Sequence, residues 1–354
     1  MIKALKSVSN ILKNINTAAI KTHSIQIQII LFLLLISVVI ISLMLGRMDI
    51  HPFTVIKILF SEILPIEKIW SSRIESVVID VRFPRVMAAL LIGAGLSVSG
   101  ASFQGIFRNP LVSPDILGVA SGAGFGAAIA ILFFDNIVTI QIFSFAFGLL
   151  AVGLTYSISR VYSAVPVLML VLSGIIVGAL FSAMTSLTKY VADPMDKMPA
   201  IVFWLLGSLN NITNKNLLFV SPFFIVCMGT IYLIRWRINI LSMGDEDAKT
   251  LGVNIERLKG IIIICATIIT AASVSLSGII GWVGLVIPHL GRLLVGSDNK
   301  ILIPVTMLVG SSYLIIVDII ARTAIASEIP IGIITAIFGA PIFAYLLRKN
   351  QIGR

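Results

Sequence analysis

Ten stretches of this chain are apolar for long enough to cross a bilayer: Ile25–Leu45, Pro84–Phe103, Leu117–Phe134, Ile137–Ser159, Val167–Thr188, Asn216–Ile234, Leu258–Ser275, Gly278–Leu294, Ile301–Thr323 and Ile331–Leu347. A span takes about 20 mostly apolar residues, because a helix rises about 1.5 Å per residue across ~30 Å of hydrocarbon. Only 12% of the 354 residues are charged and 58% are hydrophobic, with mean hydropathy +1.07. Ordinary soluble domains carry about 25% charged residues, so this chain cannot cover itself with a water-facing surface. Inside hydrocarbon every backbone polar group needs an internal partner, and apolar runs of this length meet that need as helices. The expected fold is an all-α polytopic membrane protein of about ten transmembrane helices. A single membrane domain over residues 25–354 follows a short N-terminal segment, residues 1–24, that carries Lys3, Lys6, Lys13 and Lys21. Ile25–Leu45 is long enough to span and no small-residue cleavage site follows it, so it is expected to be a retained first helix.

Lysine and arginine set the orientation. With the N-terminus in the cytoplasm, 16 of the 26 basic residues fall on inner segments and 10 on outer ones. Six of those ten lie from Arg47 to Arg85, where Asp49, Glu62, Glu67, Glu75 and Asp80 offset them. Both termini are therefore expected inside. The formal charge of +10 then belongs to loops that face anionic lipid, and nucleic acid is not the expected partner. Cys227 and Cys265 sit within apolar stretches without CxxC spacing and read as buried hydrophobes. Gly122/Gly126 and Gly174/Gly178 have the spacing that lets helices approach closely. No GxxxxGK[ST] occurs, so this chain has no phosphate loop of its own. His289 has no second histidine at ligand spacing, and no metal site is expected.

Four local patterns stand out. Arg82-Phe-Pro-Arg85 places two arginines at the expected start of the second span. They are either residues snorkelling at a helix end or a cationic patch for external carboxylates. Arg322 lies at the outer end of the ninth span, four residues after the intramembrane Asp318, a spacing that lets the two pair. Gln104 to Gly118 contains Asn109-Pro110-Leu111 and Ser113-Pro114; two prolines break the helix, giving an ordinary connector or an inner constriction. Gly244-Asp-Glu-Asp-Ala-Lys-Thr-Leu-Gly252-Val, within the longest inner segment (about 239–257), reads as a short helix with acids in its first turn and Gly252 as its cap. It is a solvated loop helix or a partner surface. Gly281-Trp-Val-Gly284-Leu-Val-Ile-Pro288-His289 indicates a kinked or re-entrant span.

Taken in order, Arg82-Phe-Pro-Arg85, Gln104-Gly-Ile-Phe-Arg-Asn-Pro-Leu111, Leu117-Gly-Val, Trp204-Leu-Leu-Gly-Ser208, Leu251-Gly-Val, Gly284-Leu-Val-Ile-Pro-His289, Asp318-Ile-Ile-Ala-Arg322 and Ile329-Pro-Ile-Gly332 resemble the FecCD-type permease subunits of type II ABC importers. This is the family of the vitamin B12 importer and of many iron–siderophore and haem importers. The resemblance runs from about residue 25 to the C-terminus. It implies a multi-pass subunit of the bacterial cytoplasmic (inner) membrane that pairs with a second permease, identical or related, around a central pathway. It also implies two cytoplasmic ATPase subunits and an external substrate-binding protein. The chain would then be a transport subunit and not an enzyme. It would hold no cofactor, with ATP and Mg on the partner ATPases. Carried over by position, Arg82, Arg85 and Arg322 receive carboxylates of the binding protein. Asn109 and Leu111 form a cytoplasmic gate, and the turn at Pro166–Leu168 matches a second gate more loosely. Gly244, Asp245, Glu246, Ala248, Leu251 and Gly252 contact the ATPase. Ser173, Ser182, Thr185 and Ser186 are candidate pathway liners. A ferric siderophore is the expected cargo, with haem, cobalamin or an oxyanion as alternatives. An ion-coupled secondary transporter would need intramembrane acids or histidines, and Asp318 is its one clear candidate.

Overall fold

The computed structural model describes residues 24–352 apart from 47, 49, 62, 63, 66, 135, 161–165, 245–247, 249 and 251. The segment expected to precede the first span therefore lies outside the described residues, save Ser24. Twelve helices are labelled here in chain order. They are α1 (Ser24–Met44), α2 (Pro52–Ser61), α3 (Ser72–Phe107), α4 (Val119–Phe133), α5 (Ile137–Ser159), α6 (Val167–Val191), α7 (Lys197–Leu205), α8 (Asn214–Met243), α9 (Ile255–Ser277), α10 (Val283–Val295), α11 (Asn299–Thr323) and α12 (Ile331–Ile352). Each of the ten expected stretches carries a helix. Among the described residues seven helices are long and apolar enough to span, while α4, α10 and α12 are shorter apolar helices.

Two helices form the centre. The most apolar window of α3 is 83% buried and that of α9 is 78% buried, against 17% for α1 and 22% for α5. The outer helices expose Ile29, Ile30, Phe32 and Leu33 on α1 and Leu172, Ile175, Ile176 and Leu180 on α6. An exterior this apolar is stable only against lipid. Close helix approach depends on glycine where the sequence suggested it. A Cβ at Gly122 would lie 2.6 Å from the Phe147 carbonyl oxygen, and one at Gly126 2.4 Å from that of Phe143, so α4 lies directly on the backbone of α5.

Two expectations change. Arg82 and Arg85 do not open a helix: they lie inside one continuous 36-residue element. Its residues Val77–Arg82 are π-helical, with the Phe83 N–H donating to the Val78 carbonyl. Pro84 has no N–H to return to Asp80, and a wider turn just before it absorbs the mismatch. The eighth stretch, expected from Gly278, is helical only from Val283. Gly278 and Trp282 both have φ of +70°, which ends α9 and delays α10. This irregular backbone is tolerated because it is enclosed by protein, with Ile280 buried at 6% exposure.

Candidate functional site

The end of the molecule that the charge rule assigns to the outside holds a packed ionic cluster. Arg82, Arg85 and Arg322 are 4%, 5% and 6% exposed, packed inside this chain rather than open to solvent. Arg85 donates through Nε to Asp318 Oδ1 at 2.8 Å and through Nη1 to Asn210 Oδ1 at 3.1 Å. The same Nη1 lies 2.9 Å from Glu328 Oε2. Arg322 Nε lies 3.3 Å from Asp318 Oδ2, one turn away on α11, close enough for attraction but not aligned as a hydrogen bond. Arg322 also donates to the Ser42 hydroxyl and carbonyl and to the Leu45 carbonyl. Arg82 donates to the carbonyls of Leu43, Met44 and Met48. Guanidinium groups carry five fixed donors, and here most of them finish the end of α1 and the loop behind it, where helical carbonyls have no partner of their own.

The pairing of Asp318 with Arg322 agrees with their spacing in sequence. Glu328 and Asn210 were not singled out from sequence. An acid next to Ile329-Pro330 between two apolar spans was the available signal for Glu328. Its side chain is 19% exposed and lines a cavity of about 510 Å³ together with Asp196, Lys197, Ser208, Asn210 and Asn211. The walls of that cavity are tied by backbone: Ile331 N–H to Gly207 O, Gly332 N–H to Leu206 O, and Ser208 N–H to Ser277 O.

At the opposite end α3 stops at Phe107, with Arg108 left-handed at φ 50°. Asn109, Pro110 and Leu111 are exposed. Asn109 Oδ1 accepts the Leu111 N–H at 2.9 Å, an Asx turn that fixes the loop. Of the expected ATPase-contact residues, Asp245, Glu246 and Leu251 lie outside the described residues. Gly244 accepts the Ala248 N–H, Ala248 is fully buried, and Val253 N–H reaches Ala248 O. With Gly252 at φ +72°, that last bond closes a Schellman cap, as the glycine suggested. Pro166 precedes α6 as its N-cap. On α6, Ser182 and Ser186 are exposed, whereas Ser173 and Thr185 are buried within the chain.

Residues 33–349 match the FecCD transport family. The chain belongs to that family. Among its relatives, this FecCD-family chain is 41% identical over 328 residues to the molybdate import system permease protein of Haemophilus influenzae, covering 91% of this chain and 95% of that protein. It is 41% identical over 280 residues to a probable iron chelatin transport system permease protein of Helicobacter pylori, covering 79% and 85%. Its fold is similar to a metal-chelate type ABC transporter solved in an inward-facing conformation, with TM-score 0.81, 41% identity, and 92% and 99% of the two chains covered. The FecCD chain is thus a membrane-embedded permease of an ABC importer, a transport subunit of the cytoplasmic membrane. Permeases of this family act with a partner permease, ATPases and a binding protein.

Proposed function

We propose that this permease carries a metal as an oxyanion or an oxygen-rich chelate, with molybdate as the first reading. Full-length similarity to the Haemophilus influenzae molybdate permease carries that reading, since it spans 95% of that relative. Ferric siderophore is the second reading, favoured by the Helicobacter pylori relative. Uptake of radiolabelled molybdate and of a radiolabelled ferric hydroxamate, in cells with and without this permease, separates the two. Loss of molybdate uptake alone supports the first reading, loss of hydroxamate uptake alone replaces it with the second, and loss of neither refutes both.

The transport reading assigns a role to each end. Two copies, or one copy and a related permease, enclose the pathway. The exposed Asn109–Leu111 turns serve as its cytoplasmic gate, and Gly244–Gly252 seats the ATPase that binds ATP and Mg. The binding protein docks at the arginine end. All three arginines are committed inside the chain, and Arg85 is singled out because its partner Glu328, at 19% exposure, lines an open cavity through which an external carboxylate can enter. Such a carboxylate takes the place of Glu328, the partly open partner. Arg82 and Arg322 contribute by holding the surrounding loops in shape. Asp318, enclosed and paired to arginine on both oxygens, is a structural counter-ion, which disfavours an ion-coupled carrier.

A further inference from the structure

The inner turn is held by a residue to which the transport reading gives no role. Gln104 is 3% exposed and lies one turn before the end of α3. Its backbone carbonyl accepts the N–H groups of both Arg108 and Asn109, which closes the helix over the turn. Its side-chain Nε2 lies 3.2 Å from the Val112 carbonyl on the far side of that turn. The same nitrogen lies 3.5 Å from the Gly284 carbonyl and 3.4 Å from that of Leu285, both in α10. Its Oε1 accepts from Arg292 Nη1, also in α10.

The α10 sequence explains why an amide is needed there. Pro288 sits inside α10 and has no N–H to return to the carbonyl four residues earlier, which is that of Gly284. That carbonyl is enclosed by α3: a Cβ at Gly100, one turn before Gln104 on the same face, would lie 1.8 Å from the Gly284 oxygen. A buried carbonyl without a donor is costly, and Gln104 Nε2 approaches it to 3.5 Å from the neighbouring helix, sharing its two hydrogens with the nearer carbonyls of Leu285 and Val112. Arg292, one turn beyond Pro288, orients the amide by presenting a donor to its oxygen. One side chain thereby joins the broken point of α10, the inner end of α10 and the turn that carries Asn109 and Leu111.

We propose that Gln104, oriented by Arg292, is the positioning residue that couples movement of α10 to the inner gate. The proposal rests on the assignment of Asn109 and Leu111 as that gate. The start of α11, which follows the inner end of α10 across residues 296–298, is in turn fastened to α8, since Asn239 Nδ2 donates to Asp298 Oδ1 at 2.6 Å and Asn239 Oδ1 accepts the Asn299 N–H at 2.8 Å. α8 leads directly into the Gly244–Gly252 segment, so displacement at the ATPase contact reaches the turn through α8, the start of α11 and the short link back to α10.

The test uses the full chain in nanodiscs and the importer assembled with its ATPase and binding protein. Gln104→Met keeps the volume and removes every side-chain hydrogen bond; Gln104→Glu keeps an acceptor for Arg292 but loses the donors. Both should raise amide hydrogen exchange over residues 108–118 by roughly 2- to 30-fold, the span of known coupling effects. Exchange in α5 should stay unchanged. The ratio of binding-protein-stimulated to basal ATP hydrolysis should fall by a similar factor. Arg292→Met should act in the same direction, more weakly. Unchanged exchange over 108–118 overturns the proposal, as does faster exchange with an unchanged ATPase ratio, which would mean a packing role only. If Gln104→Met loosens the whole chain, the half-buried Arg292→Met decides by the same two readings. Failure of the gate assignment shows separately, as Asn109→Ala and Leu111→Ala importers with normal transport and no leak.

Discussion

Asp318→Asn keeps the shape of the side chain and removes one negative charge from a fully buried site. Asp318 is fully buried, with Arg85 Nε at 2.8 Å and Arg322 Nε at 3.3 Å. At an effective dielectric near 20, a pair of unit charges at about 4 Å attracts by ~4 kcal/mol, so two arginines give a large gross attraction. The net loss is smaller, because Arg85 keeps Glu328 and Asn210, and Arg322 keeps Ser42 and the Leu45 carbonyl. Breaking a buried pair by removing one partner costs about 3–5 kcal/mol. For a chain of this size roughly 2 °C is lost per kcal/mol, so the melting temperature in nanodiscs should fall by about 6–10 °C. Scanning fluorimetry on the tryptophans reads this. The double variant Asp318→Asn with Arg322→Gln restores the charge balance and leaves the Arg85–Glu328 pair in place. It should recover about 1–3 kcal/mol relative to additivity. If the single variant melts within a degree of wild type, or the double variant is the sum of its parts, the counter-ion argument fails. An Asp318→Asn protein of native stability that had lost transport would instead revive the ion-coupled reading.

Glu328→Gln should bind the external binding protein several-fold more tightly, because Arg85 no longer surrenders its own carboxylate; stability should change by about 1 kcal/mol or less, as the pair is partly open. Biolayer interferometry against the binding protein checks this, and weaker binding would contradict the displacement of Glu328. Gly100→Val should fail to yield a monodisperse protein by size-exclusion chromatography, since its Cβ would meet the Gly284 backbone oxygen at 1.8 Å, a contact no rotamer can relieve. Gly153→Ala is the matched control on α5, where a Cβ has open space within 4 Å, and it should be tolerated.

What the sequence could disclose depended on how local each cause was. Hydropathy acts through runs of neighbouring residues, so every expected span carries a helix. The Asp318/Arg322 pair and the Gly252 cap are four or five residues in reach, and both stand as read. The state of Arg82 and Arg85 depends on groups far away in sequence. Arg85 meets Asn210 and Glu328, 125 and 243 residues distant, and Arg82 meets carbonyls 34 to 39 residues back. No local pattern encodes whether an arginine at a membrane edge faces water or finishes another helix, because both satisfy the same desolvation cost. The same holds at the inner end. Pro288 announces an orphaned carbonyl at Gly284 from sequence alone, but the side-chain donor that approaches it is Gln104, 180 residues away. A proline within a span therefore states that some buried donor must exist, and the residue that supplies it joins two helices. That joint is where a permease can pass motion from one helix to the next.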